Sequence, residues 1–300
     1  MKEQKNKDFI IVSDGSCDLP DTIVKEKQIQ VVPFYVSFDG NTYLKEKKEL
    51  DVNSFYNRLI DDPNLFPSTA LPSVNDYIEV FEQALQAGQD IICATITSKF
   101  SGSYNSAMVA KNTCLEKYPN AKIAIIDSMV NTGVQGLFVL ELVRMKENGL
   151  SFDEIVKKAE KIKKTGRIFF TVGSLDYLRH GGRIGKLIGL VGSTLKIKPI
   201  IVLKEGEIFS EGLAFTRKKS FLKATSLAQE YFTKNKQNPD EYQFITGYGY
   251  DKEEADNFQQ RIQELFHRED VLQIHIGATI GVHTGPHPIG LGFIKKYEYC

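Results

Sequence analysis

"DIICATITSKFSGSYNSAMVAKNTCLEKY", residues 90–118, decides how this chain folds. It opens on a short apolar run bounded by polar residues, which predicts a buried strand. It then passes through a Ser/Gly turn into a helical pattern. Ser101-Gly102-Ser103 opens that helix. Gly102 allows close backbone approach, and a helix terminus offers free N–H groups and a favourable dipole to an anion.

The same strand–turn–helix grammar recurs on both sides. "FIIVSD" (9–14) runs into "GSCDLP", and "AKIAIID" (121–127) runs into "SMVNTGVQG". "IQVVPFYVSF" (29–38) reads as one further β-rich run, and "DVNSFYNRLI", "SVNDYIEVFEQALQAG" and "GVQGLFVLELVRMKENG" read as helices. Ser73 followed by Asp76 is close to a capping box, and Gly88 is a C-cap signal. Apolar strands alternating with amphipathic helices predict a mostly parallel sheet covered on both faces. Ligands of such sheets bind beyond the carboxyl ends of the strands. The loops expected there carry Ser16, Thr69, Ser73, Ser98, Ser101 and Ser128. Any single one of these hydroxyls is better explained by helix capping; together they suggest a site for a small anionic head group.

The pattern changes near residue 160. "SFDEIVKKAEKIKKTG" reads as a basic amphipathic helix with a solvated lysine face. Alternating runs joined by Gly-containing turns follow, among them "RIFFTVG", "TLKIKPIIVL", "EGEIFSEGLAF", "YQFITGYGY", "VLQIHIGATIGV" and "IGLGFIKKY". "IIVLKEGEIFSEG" predicts a hairpin turning at "KEGE". Two helices are expected around 217–235 and 251–267. The fold class is therefore α/β, with an N-terminal α/β/α domain over 1–160. An α+β domain with a mixed or antiparallel sheet covers 161–300, and a ligand cleft lies between the two.

Three features of the second half bear on chemistry. "LDYLRHGGRIG" (175–185) is a short helix that breaks at two glycines, with Arg179 or Arg183 available to a carboxylate or phosphate. The uncharged segment Leu187–Leu195 is either core packing or the wall of a tunnel for an apolar ligand. "GVHTGPHPIGLGF" (281–293) places His283 and His287 in a Gly/Pro-rich stretch read as a stiff, non-helical turn.

Composition narrows the classes of function. The 300 residues carry 38 Lys+Arg and 38 Asp+Glu, so no net charge draws the chain to nucleic acid or anionic membrane. No apolar run approaches the roughly 20 residues that span a bilayer, and the charged start has no signal-peptide pattern. A cytoplasmic location is expected. Four scattered cysteines, Cys17, Cys93, Cys114 and Cys300, show no CxxC spacing. Only Cys17 lies near the suspected site. There is no P-loop, no GxGxxG after a strand, no GxSxG elbow and no metal-spaced cluster. No cofactor or metal is expected. A Ser/His hydrolase or acyl transferase using Ser101 and His283 stays open, as does a regulatory module for another amphiphile.

The ordered motifs "VSDGSCDLP", "STALPS", "TSKFSGSYNSA", "DSMVNTGVQG", "LDYLRHGGRIG", "LKIKPII", "TRKKS" and "GVHTGPHPIGLGF" resemble the DegV family over essentially the whole length. Its best-understood members are bacterial FakB-type fatty-acid-binding proteins. The resemblance implies two α/β domains enclosing one long-chain fatty acid. It implies a non-catalytic subunit that presents the ligand's carboxylate to a separate ATP-dependent fatty acid kinase, for phospholipid metabolism. Carried over by motif, the carboxylate binders are Thr69, Ser101, Gly102 and His283, with Arg179 from the "LRHGGRIG" segment. Arg183, Arg217 and Lys218 are expected to dock the kinase. The family's threonine is followed by Ser-Gln-Pro-Ser, where this chain has Ala70-Leu71-Pro72-Ser73. Its HTGPG turn continues with small residues, where this chain has His287-Pro288. On that alignment His283 donates to the carboxylate and His287 sits at the rim.

Overall fold

The computed structural model describes residues 8–190 and 197–300. In chain order the first half contains β1 (Phe9–Asp14), α1 (Asp21–Glu26), β2 (Gln30–Val32), β3 (Tyr35–Ser37), β4 (Leu44–Lys45), α2 (Val52–Asp61), β5 (Ser68–Ala70), α3 (Val74–Gln86), β6 (Asp90–Thr95), α4 (Ser103–Lys117), β7 (Ile123–Asp127), α5 (Thr132–Glu147) and α6 (Phe152–Ile162). The second half contains β8 (Arg167–Thr171), α7 (Asp176–His180), β9 (Lys198–Lys204), β10 (Glu207–Ala214), α8 (Arg217–Lys234), β11 (Tyr242–Tyr248), α9 (Lys252–Phe266), β12 (Leu272–His275), α10 (Ala278–Thr284) and β13 (Ile289–Lys295).

Strands β2-β1-β6-β7 form a parallel sheet, with Ile92 of β6 between Ile11 of β1 and Ala124 of β7. Period-two alternation sends its side chains to two cores. Val12, Ile91 and Cys93 pack on Tyr77 and Phe81 of α3 and on Ala107 and Ala110 of α4. Ile11, Ile92 and Ala94 pack on the other side with α5 and α6. The Ser73–Asp76 capping box starts α3, and a second one, Ser151–Glu154, starts α6.

The later strands form a six-stranded sheet, β10-β9-β8-β13-β11-β12. Only β11 and β12 are parallel, because α9 supplies the crossover that parallel neighbours need. The predicted hairpin is β9–β10, turning at Glu205-Gly206. Helix α5 lies between the two large sheets. Its Val134 and Leu137 share one core with Ile11 and Ile92 on one side and Ile168, Ile245 and Ile294 on the other. Each fully buried Val, Leu, Ile or Phe side chain contributes roughly 1.5–3 kcal/mol.

Three sequence expectations are corrected. The run 29–38 is not one strand. It breaks at Pro33, which has no N–H for a ladder; β2 joins the parallel sheet, while β3 pairs with β4 and β5 in a small antiparallel sheet. Thr69 therefore sits on a strand of that small sheet and not on a loop of the parallel one. The runs 271–282 and 281–293 are neither one strand nor one turn. Strand β12 stops at His275, and residues 278–284 form α10, with His283 in its last turn. Glycine and β-branched residues are poor helix formers, so α10 is held from outside. Glu46 accepts from Thr279 N at 3.1 Å, and Ala278 and Val282 pack on Phe55 and Tyr56 of α2. Only residues 285–288 remain as the turn. In the apolar segment 187–195, Leu187 is core and Ile188 is exposed; residues 191–196 lie outside the described residues.

Candidate functional site

Thr69, on β5, faces His283, on α10. Their Oγ1 and Nε2 atoms lie 3.3 Å apart, across 214 positions of sequence. Both line a cavity of about 270 Å³, together with Ser101, Arg183, Asn131, Thr279 and Thr284. Its remaining wall is apolar, with Phe34, Ile96, Phe100, Phe170, Leu178 and Ile280 among the side chains. The volume lies just under the roughly 300 Å³ lower end for small-molecule pockets. A narrow crevice of about 50 Å³ adjoins it, sharing Asn131, Phe170, Ile280 and Thr284. That crevice runs between the start of α5 and the six-stranded sheet, past Val134, Ile168, Ile245, Ile274 and Ile289. One end is thus polar and the other aliphatic.

Each polar group is fixed from behind. Ser101 precedes α4, and its Oγ accepts from Ser103 N at 3.2 Å. The buried Asp14 carboxylate holds the same region, accepting from Ile96 N at 2.9 Å and Ser103 Oγ at 2.7 Å. Gln135 Nε2 donates to Asp14 at 2.8 Å, and Ser16 Oγ lies 2.8 Å from it. Burial still raises the Asp14 pKa above the usual carboxylate value, against those hydrogen bonds. Nothing in "VSDGSCDLP" marks Asp14 as a strut, because its donors come from residues up to 121 positions away.

Arg183 donates from Nε to Phe100 O at 3.0 Å and from a terminal nitrogen to Gly181 O at 2.7 Å. Burial first, and the Arg183 charge second, push the His283 pKa down to about 4. The imidazole is therefore neutral near pH 7 and carries one N–H. Its Nδ1 is buried against Gly181 and has no hydrogen-bond partner among the described residues.

The two arginines that the sequence offered to an anion stand in different surroundings. Arg179 is exposed and pairs with Asp176 at 3.5 Å, whereas Arg183, expected on a docking surface, lines the cavity. Gly102 supplies the N-cap backbone of α4 and is not among the lining residues. Arg217 is bound to Asp251 at 3.0 Å and Glu254 at 2.7 Å, and it donates to His287 O. Lys218 is exposed. His287 stands apart from the cavity, with Nδ1 2.8 Å from Asp251. Cys17 is buried and its thiol is pushed up to about 11, chiefly by desolvation, which disfavours the thiolate a nucleophile needs. Among the described residues no group of three or more His, Cys, Asp or Glu side chains is placed to hold a metal ion.

For acyl transfer a serine would need His283 as its base and an acid to orient the ring. His283 meets Thr69 instead, and no carboxylate bonds its Nδ1 among the described residues. The arrangement can hold an anion by hydrogen bonds and one guanidinium.

The family model described as "Uncharacterised protein, DegV family" matches residues 8–296. The chain belongs to the DegV family. A DegV domain-containing protein of Clostridium perfringens is 34% identical over 290 residues, covering 96% of this chain and 98% of that protein. A solved structure of a stearic acid-binding protein from Eubacterium ventriosum is 44% identical and superposes with a TM-score of 0.94, covering 97% of this chain and 100% of that one. The structure of DegV from Bacillus subtilis, described as a fatty acid binding protein, is 27% identical with a TM-score of 0.83, covering 97% and 100%. This DegV-family chain thus shares its fold with proteins that bind fatty acids.

Proposed function

We propose that this chain binds one long-chain fatty acid in the cavity between its N-terminal part, residues 1–160, and its C-terminal part, residues 161–300. The carboxylate lies among Thr69, Ser101, His283 and Arg183, and the acyl chain runs into the crevice beside α5. The observation that carries this reading is the gradient across the cavity and the crevice that adjoins it, from hydroxyls, imidazole and guanidinium to Ile245, Ile274 and Ile289. The likeness to the stearic acid-binding protein supports it. Arg183 takes the ligand-facing role in place of Arg179, because it lines the cavity and is held there by its hydrogen bond to Phe100 O.

The chain itself is a non-catalytic, cytoplasmic carrier. It presents the bound carboxylate to a separate ATP-dependent fatty acid kinase subunit. Arg179, Lys218 and the exposed edge of the Arg217 network form the docking surface, since their charges stand outside the cavity. Reconstitution with a bacterial fatty acid kinase subunit, ATP and oleate tests this step. Acyl-phosphate formation that requires this chain supports it; kinase activity indifferent to the chain sinks it. Turnover of p-nitrophenyl esters abolished by Ser101→Ala would replace it with an esterase.

A further inference from the structure

Next to Thr279, which lines the polar end of the cavity, lies a pair of acids, Asp18 and Glu46, both buried. Asp18 has a positive φ of 50° and follows the turn after β1. Glu46 follows β4. The two come from different segments and converge on the start of α10. A Cβ built on Gly277 would lie 2.4 Å from Asp18 Oδ1 and 2.4 Å from Glu46 Oε1, so those two oxygens are within twice that distance of each other. Any side chain there would have to push the two carboxylates aside.

The partners of the pair are the helices that line the cavity. Glu46 accepts from Thr279 N at 3.1 Å and from Thr279 Oγ1. Asp18 Oδ2 accepts from Thr132 Oγ1, the first residue of α5, at 2.6 Å. Asp18 Oδ1 lies against the Gly277 amide yet makes no hydrogen bond of full geometry. Residues Thr279, Ile280, His283 and Thr284 of α10, and Asn131 just before α5, all line the cavity.

We propose that Asp18 and Glu46 share one proton and act as positioning residues that hold the N-termini of α5 and α10, and through α10 His283, in the ligand-binding arrangement. This rests on the fatty-acid reading of the site. Two carboxylates this close and this buried cannot both ionise without strong repulsion. A carboxyl that keeps its proton also gives the orphaned Asp18 Oδ1 a role, as donor or acceptor across the pair. Burial is the first cause holding both groups above the usual carboxylate range, with the Glu46 charge adding to it for Asp18.

The other ionisable groups around the pair do not neutralise it. Lys47, whose Nζ donates to Leu19 O at 2.7 Å and Asp21 at 3.4 Å, lowers the pKa of both acids, but burial outweighs it. Tyr56, on α2, donates to Ile276 O at 3.0 Å and is itself raised by burial and the two acids. Its ring stacks on His275, whose pKa burial lowers. Cys17 is held protonated. As pH rises from neutral into the alkaline range the shared proton is lost, the acids repel, and the start of α10 loosens.

The test is hydrogen–deuterium exchange of residues 278–284 in the ligand-free full chain at about pH 6 and about pH 9, corrected for intrinsic exchange. Affinity for a fluorescent long-chain fatty acid, kept below its aggregation concentration, is measured alongside. The wild type should lose protection several-fold on going alkaline, and its affinity should fall by a similar ratio. Asp18→Asn, which can carry no charge but keeps an acceptor for Thr132, should show a flat ratio in both. Equal declines in wild type and Asp18→Asn, or no decline in wild type, overturn the proposal. If circular dichroism shows Asp18→Asn unfolded, Glu46→Gln replaces it with the same expectation, and a flat wild-type profile is decisive without either variant. Failure of the fatty acid to bind at any pH strikes at the fatty-acid reading alone, because the exchange measurement needs no ligand.

Discussion

The two ends of the cavity are built on opposite principles. At the polar end, Thr69, Ser101, Arg183 and His283 arrive from four separate segments, each locked by its own neighbours. At the apolar end, the wall is a surface of aliphatic side chains from α5 and the six-stranded sheet, none of which acts alone. A charged head group is held by a few discrete hydrogen bonds, each worth roughly 1.5–3 kcal/mol. A hydrocarbon tail is held by area, at about 0.8 kcal/mol per methylene. The first end should respond to mutation in steps, and the second to ligand length in a slope.

The largest break in that contrast is the double variant Thr69→Ala/Ser101→Ala. On the proposed placement it deletes two hydrogen bonds to the carboxylate and should weaken fatty-acid binding by at least on the order of a hundredfold, measured by fluorescence titration. The slope of affinity against chain length should survive in it unchanged. The tail end is sharpened by that slope in the wild type. Two methylenes fewer should cost about 1.6 kcal/mol until the chain no longer reaches the crevice. Ile274→Phe, deep in the crevice, should flatten the slope for the longest chains while leaving short ones alone.

Local signals in the sequence carry much of this architecture. β1, β6 and β7 are short apolar runs followed by turn residues, and that pattern is strong enough to fix a parallel sheet. The Ser73–Asp76 box and the "KEGE" hairpin are likewise local, and both form where their residues predict them. Helix α10 is not legible in this way, because its stability comes from Glu46 and the α2 aromatics, more than 200 positions away. Residues "ATIGVHT" alone favour strand or turn. The two arginines are indistinguishable in sequence for a related reason. Arg179 and Arg183 stand on either side of Gly181-Gly182, and only the turn there, with Gly182 at φ 67°, sends Arg183 inward. The Asp18–Glu46 pair has no local signature, since its two members meet only after the small sheet and the parallel sheet have both formed.

Smaller effects separate the two histidines. His283→Ala should cost about 1.5 kcal/mol of binding, whereas His287→Ala, whose partner is Asp251 outside the cavity, should stay within about 0.5 kcal/mol. A loss at His287 with none at His283 would misplace the head group. The depressed His283 pKa has a sign that can be checked. The folded protein holds this ring neutral down to about pH 4, while the unfolded chain protonates it near the ordinary histidine value of 6.5. Its contribution to stability is complete above that unfolded value and is lost as pH falls toward 4. Melting temperature should therefore drop less on acidification in His283→Ala than in wild type.

Native mass spectrometry of the chain purified from bacterial cytosol tests fatty-acid binding most directly. One long-chain fatty acid per chain is expected, largely absent from Thr69→Ala/Ser101→Ala prepared the same way. A phosphosugar in its place, or a chain that carries no lipid and takes up none when offered oleate, would contradict that assignment.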